Sequence, residues 1–327
     1  MKDAQRLWKW FESAARDLPW RRIESREKKV EGRKKLSDLS SPLYPLTSGQ
    51  RDPYRVWLAE IMLQQTQVRT VIPYYRKFLK HYPTLKKLAD APTENILSDW
   101  AGLGYYSRAR NLHKCAQVVA HELKGRWPQT AADLQKLPGL GPYTAAAMAA
   151  LAFGENVLAI DGNVARVIAR YGAIKTPIAK ARREILAAGA ELLYAPANGG
   201  SAEALIELGA LICTPRNPKC NLCPLNKNCQ AYLRGEVEKY PVKTAARAVP
   251  ERRAVFLVLT NPKGEIFTVT RGGRGLFAGM LALPSSALQK GEADHALLKT
   301  KTESLGGFAH ILTHIRFEIE ARHAALT

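Results

Sequence analysis

Cys213, Cys220, Cys223 and Cys229 follow the spacing C-x6-C-x2-C-x5-C and account for four of the chain's five cysteines. Thiolates gathered in this way can hold a soft metal ion or an iron–sulfur centre. Structural zinc usually takes two short C-x2-4-C pairs, and only Cys220 and Cys223 make one here, which favours an Fe–S cluster over zinc. Disulfides, the remaining reading, need an oxidising compartment, whereas the chain opens MKDAQRLWKW with no apolar signal segment. Cys115 stands apart in RNLHKCAQVVAHELKG, with Leu112 and Val119 at helical spacing, and is expected to be a core thiol.

Two carboxyl groups sit in unusual company. Glu60 lies among large apolar side chains in VWLAEIMLQQTQ, where burial against a pocket would push its pKa upward. A helix-surface glutamate is the competing reading, and by residue type the commoner one. Asp161 stands at an apolar-to-glycine junction, Ile160-Asp161-Gly162-Asn163-Val164, and could be simply a turn former or cap. Between them, Leu137-Pro138-Gly139-Leu140-Gly141-Pro142-Tyr143 joins two helical patterns. Its glycines permit a tight turn, and the helix that follows offers unpaired N–H groups and a positive dipole end to an anion. Such a hairpin can grip a DNA phosphate without reading sequence; an ordinary helix–helix turn is the alternative.

These groups must be carried by helices. From Asp52 to about Tyr240 short helical patterns alternate with Pro and Gly punctuation, and helix starts are expected at Asp52-Pro53, at Thr130 with Asp133, and at Ser201. After Pro250 the texture changes to AVFLVLT and EIFTVT around Asn261-Pro262-Lys263-Gly264, a hairpin signal that opens a second, β-rich domain. A length of 327 residues predicts two or three domains, and no apolar run is long enough to span a membrane, so a soluble intracellular protein is expected. The formal charge of +20 makes nucleic acid the leading partner, because phosphate attracts such a surface and binding releases counterions. Part of that excess is a local basic run between Arg21 and Lys35.

Taken in order, LAEIMLQQTQV, GLGYYSRARNL, LPGLGPYTA, DGNVARV and the four-cysteine loop closely resemble MutY-type adenine DNA glycosylases of the helix-hairpin-helix superfamily. The likeness runs over nearly all of residues 5–240. It implies a mainly α two-domain glycosylase core followed by an α+β, MutT/Nudix-like domain. Residues 1–20 and 145–238 would form a helical domain bearing a [4Fe–4S] cluster. Residues 21–144 would form a six-helix barrel with the hairpin and a basic insertion at about 22–50. A linker would follow at 239–250, and the MutT-like domain at 251–327. The resemblance also implies a monomer acting on double-stranded DNA with adenine opposite 8-oxoguanine or guanine, located in the cytoplasm with the nucleoid.

The same resemblance assigns roles. Glu60 matches the general acid that protonates the departing adenine. Asp161 matches the anion that stabilises the sugar cation, with Asn163 holding it. Tyr143 occupies the hairpin position where relatives resembling endonuclease III carry a Schiff-base lysine, so a monofunctional enzyme is expected. Cys213, Cys220, Cys223 and Cys229 would bind the cluster. Gln64, Gln65 and Tyr105 would meet the opened duplex, Leu137, Gly139, Gly141, Arg216 and Lys219 its backbone, and Arg21 and Glu203 would line the adenine pocket. Near the C-terminus, Leu312-Thr313-His314 stands where the family often has Phe-Ser-His, assigning 8-oxoguanine recognition to Thr313 and His314. Residues 285–307 lack the R-E-x-x-E-E pattern of a working Nudix hydrolase, which implies a recognition module.

Overall fold

A computed structural model describes residues 2–21, 51–243, 249–272, 276–277, 279–288, 294–299, 301–312 and 315–325. The basic insertion, Thr313 and His314 therefore lie outside the described residues. The chain forms two compact units, Met1–Thr244 and Ala245–Thr327.

The first unit is helical. Helix α1 (Asp3–Ala14) is followed by α2 (Pro53–Leu63), α3 (Val68–His81), α4 (Leu85–Ala89), α5 (Thr93–Trp100) and α6 (Ser107–Gln117). Then come α7 (Ala131–Leu134), α8 (Pro142–Phe153), α9 (Gly162–Tyr171), α10 (Arg182–Ala190), α11 (Gly200–Leu211) and α12 (Gln230–Leu233). The Asp52 carboxylate accepts the Tyr54 amide at 2.9 Å, and Pro53 occupies the first turn of α2, where its missing N–H costs nothing. Thr130 caps α7 by accepting from Asp133 N. α11 starts at Gly200, within one residue of the expected start at Ser201; Gly199, at φ 82°, precedes it, and the Ser201 hydroxyl inside the first turn accepts the Tyr194 amide. Only glycine fits at 199, because a Cβ there would lie 2.3 Å from the Ala150 carbonyl oxygen.

Two large apolar cores fill this unit. One gathers Leu18 and Trp20 with Trp57, Phe78, Trp100, Leu112, Leu134 and Met148, drawing on α2 to α8, and Cys115 is buried inside it. Burial pushes the Cys115 thiol up to about 12, as a core role requires. The other unites Leu7 and Phe11 of α1 with Ile168 of α9, Ile185 of α10, Leu205 and Leu208 of α11, and Leu225. Chain ends far apart in sequence thus share one core. Helix α8 passes along α2 and α11 with nine successive buried positions from Thr144 to Ala152, and its alanines allow the close approach that brings the cleft walls together.

In the second unit, β1 (Glu251–Thr260), β5 (Ile315–Ala325) and β4 (Glu303–Leu312) make a sheet in the order β1-β5-β4. β1 runs parallel to β5, and β4 antiparallel to it. β2 (Val269–Thr270) and β3 (Leu281–Ala282) form a separate antiparallel pair. The Asn261–Gly264 turn closes as expected, Gly264 N donating to Asn261 O, but the hairpin beyond it is short, held by Asn261 N to Glu265 O, Phe267 N to Leu259 O and the Thr260–Ile266 bridge. β1 instead gives its full length to β5, whose Ile315 and Phe317 are buried with Ala254.

Candidate active site

α2 is buried on every side, and this is why Glu60 is buried too: Trp57, Leu58, Ile61 and Met62 face the first core, while Glu60 turns to a cleft of about 840 Å³. Glu60, Tyr143, Asp161 and Asn163 all line this cleft, with Gln64, Gln65, Gly139, Gly141, Arg21 and Glu203. Segments separated by a hundred residues in sequence are thereby combined.

Burial raises the Glu60 carboxyl, and the negative charges of Glu203 and Asp161 raise it further; a hydrogen bond from Tyr143 and the Arg21 charge pull the other way. The outcome is about 7, so the group keeps a substantial protonated fraction at neutrality, where an ordinary carboxyl is almost fully ionised. Glu60 Oε2 is buried and has no hydrogen-bond partner among the described residues. The Tyr143 hydroxyl is pushed well above its usual range by burial and by the Glu60 and Asp161 charges.

Asp161 is indeed a cap, and it also lines the cleft. Its Oδ1 accepts the Val164 amide at 2.7 Å at the start of α9, and its Oδ2 accepts Asn163 Nδ2 at 3.1 Å. Asn163 Oδ1 accepts Arg166 Nη2, whose guanidinium also donates to the carbonyls of Gly209 and Cys213. A chain of side-chain hydrogen bonds therefore runs from Asp161 to the first cysteine of the loop.

Arg21 and Glu203 are buried partners rather than surface charges. Glu203 Oε1 accepts Arg21 Nε at 2.6 Å and its Oε2 accepts Arg51 Nη2 at 2.8 Å. One turn along α11, Glu207 accepts from Arg16 and from both terminal nitrogens of Arg21. Burial by itself would raise Glu203, but the Arg51 and Arg21 charges hold it down to about 2. Sequence reasoning missed Arg16, Arg51 and Glu207. The four-residue spacing of Glu203 and Glu207 on one helix face was their available signal.

Of the other expected site residues, Gln64, Gln65, Gly139 and Gly141 share this cleft, whereas Tyr105, Leu137, Arg216 and Lys219 lie outside its lining. Tyr105 is 51% exposed and Leu137 lies in the first core. Gln64 donates to the Thr144 hydroxyl on α8. In the hairpin, Gly139 has φ 76° and abuts Asn111, where a Cβ would approach Asn111 Cβ to 2.7 Å. Gly141 N-caps α8, with open space around it.

The four loop cysteines line one pocket walled by Val167, Leu208, Ile212 and Leu225. Arg170 donates to Cys213 Sγ at 3.4 Å and to the carbonyls of Thr214 and Pro215. Among the described residues no three Cys, His, Asp or Glu side chains gather tightly enough for one metal ion. Four thiols spread around one apolar pocket fit a polynuclear iron–sulfur group better than a single zinc. Arg216 and Lys219 are exposed on this loop.

Comparison with known proteins agrees with this geometry. Residues 58–191 match the HhH-GPD superfamily of base excision DNA repair proteins, and residues 213–229 match the iron–sulfur binding domain of endonuclease III. The adenine DNA glycosylase of Buchnera aphidicola subsp. Baizongia pistaciae is 36% identical over 278 residues, 83% of this chain and 78% of that protein. The adenine DNA glycosylase of Homo sapiens is 34% identical over 380 residues, 98% of this chain and 66% of that protein. The solved structure of a thermostable thymine-DNA glycosylase aligns with a TM-score of 0.56 and 27% identity, over 71% of this chain and 95% of that one. With a helical HhH-GPD fold, an iron–sulfur loop and relatives of this kind along most of its length, the chain belongs to the adenine DNA glycosylase family.

Proposed function

We propose that this chain is a monofunctional adenine DNA glycosylase of base excision repair, removing adenine opposite 8-oxoguanine or guanine by acid-assisted hydrolysis in the Glu60–Asp161 cleft. The observation that carries this reading is Glu60 Oε2: a buried carboxyl oxygen that has no partner among the described residues and belongs to a group raised to about 7. Adenine leaves poorly as an anion, so the Glu60 proton passes to a ring nitrogen while the bond to C1′ lengthens. Asp161, held by Val164 and Asn163, faces the developing positive charge on the sugar. Water then delivers its hydroxyl to C1′ and its proton to the Glu60 carboxylate, which restores the acid and leaves an abasic site.

A stacked base cannot reach this cleft, so the adenine is turned out of the duplex, and Gln65 and Tyr105 fill the space it leaves. The hairpin amides around Gly139 and Gly141 hold a phosphate. Cys213, Cys220, Cys223 and Cys229 would hold the [4Fe–4S] cluster, which when bound orders the loop presenting Arg216 and Lys219 to the DNA backbone. Arg21 and Glu203 form the wall of the base pocket. The two separate cores support a barrel domain and a cluster domain within the first unit, and the mixed sheet of the second is compatible with a MutT-like recognition module.

The test uses duplexes with adenine opposite 8-oxoguanine and opposite guanine. Strand breaks that appear only after alkali support the proposal. Breaks without alkali reveal lyase activity, and no breaks at all reduce the chain to a DNA binder.

A further inference from the structure

Arg108, the second residue of α6, is buried and used by neither the acid–base pair nor the cysteine loop. Its Nη1 donates to the carbonyls of Ile61, Met62 and Gln64 at 3.1, 3.0 and 2.6 Å. These lie at the C-terminal end of α2, where helix carbonyls lack partners within the helix. Its Nη2 donates to the Thr66 hydroxyl at 3.1 Å and to the carbonyls of Leu103 and Gly104 at 2.9 and 3.3 Å. The guanidinium also lies over the rings of Trp100 and Tyr105, at 5.2 and 5.6 Å from their centres. One side chain thus ties the 61–66 segment to the 103–105 segment.

Each segment carries a non-glycine residue in the left-handed region: Gln65 at φ 58° and Tyr105 at φ 49°. Both are exposed. Such conformations are disfavoured for residues with a Cβ and persist where surrounding contacts over-determine them, often at functional sites. Here the determining contacts converge on one planar, always-charged fork, which lysine cannot imitate with its single ammonium.

We propose that Arg108 is a positioning residue that presets Gln65 and Tyr105 as a matched pair of wedges for opening the duplex. The inference rests on the wedge reading of those two side chains given above. Preset wedges spare the encounter complex the cost of ordering two loops while it unstacks a base.

Single-turnover excision by the full-length Arg108→Lys protein tests this on two duplexes, one with adenine opposite guanine and one with adenine opposite an abasic-site analogue, where no partner base must be held apart. The expected result is a loss on the order of 100-fold on the first and a rate close to wild type on the second. Equal slowing on both overturns the inference, whether it comes from misfolding or from damaged chemistry. A second arm adds Arg108→Lys to the Gln65→Ala/Tyr105→Ala protein, where little further loss is expected. An undiminished, multiplicative loss there overturns the role of Arg108 while leaving the wedges standing. Wild-type excision by Gln65→Ala/Tyr105→Ala itself removes the wedge reading, and this inference with it.

Discussion

Glu60 on α2 and Glu203 on α11 are buried glutamates lining the same cleft, yet one is raised to about 7 and the other held down to about 2. Their burial is similar; their partners are not. Glu203 has one arginine on each oxygen, whereas Glu60 has an oxygen with no partner among the described residues and two neighbouring anions. Burial therefore sets the stakes of ionisation, and the nearest fixed charges decide its direction. The two are linked, since the negative charge of Glu203 is among the causes that raise Glu60.

The largest effect expected is at Glu60 itself. Glu60→Gln keeps the shape and removes the transferable proton, so single-turnover excision should fall roughly 10²- to 10⁴-fold while binding to an adenine–guanine duplex is retained. Near-normal excision by this variant would break the comparison at its functional end.

Glu203→Gln tests the other side. It takes the carboxylate away from Arg51 and leaves Arg21 to Glu207 alone, and breaking a buried ion pair in this way costs about 3–5 kcal/mol, readable as a fall in denaturation midpoint. It also removes a charge that raises Glu60, so in the surviving folded protein excision should begin to fail at lower pH than in wild type. A midpoint equal to that of wild type would show the clasp to be energetically idle.

Stability against pH should carry both signs. The folded-state value of Glu60 lies above its ordinary 4.5, so its contribution is full below that pH and is lost as pH rises through about 7. That loss is on the order of 3 kcal/mol at full ionisation, and Glu60→Gln should abolish it in urea titrations compared at pH 5 and pH 8. Glu203 acts oppositely: its contribution is present above its ordinary 4.5 and disappears as pH falls through about 2.

The smallest effect sharpens the Glu60 side. The Tyr143 hydrogen bond lowers the Glu60 pKa, so Tyr143→Phe should move the alkaline loss of excision upward, by roughly half to one pH unit. A downward movement would mean that the phenol supports the protonated acid instead.

Local chemistry written in the sequence was legible wherever a residue acts on its immediate neighbours. Asp52 with Pro53 and Thr130 with Asp133 begin helices as their types require, and the apolar spacing around Cys115 places it in a core. Ser201 likewise marks a helix start, α11 beginning at Gly200, although its hydroxyl serves the Tyr194 amide rather than an amide of the helix. The Asn261 turn was readable, but the partner of β1 was not, because parallel pairing with β5 joins residues more than sixty positions apart.

The sequence by itself determined the helical body, the strand-rich end, the basic charge, the cysteine loop and the motifs that carry the family likeness, because each depends on residue type and short spacing. Tertiary structure decided the rest. It made Glu60 a pocket acid rather than a surface charge, turned Arg21, Arg51 and Glu203 into one clasp, and set Arg108 between two loops. A carboxyl's proton and an arginine's partners depend on what lies within a few ångströms, and here those neighbours come from helices that only folding brings together.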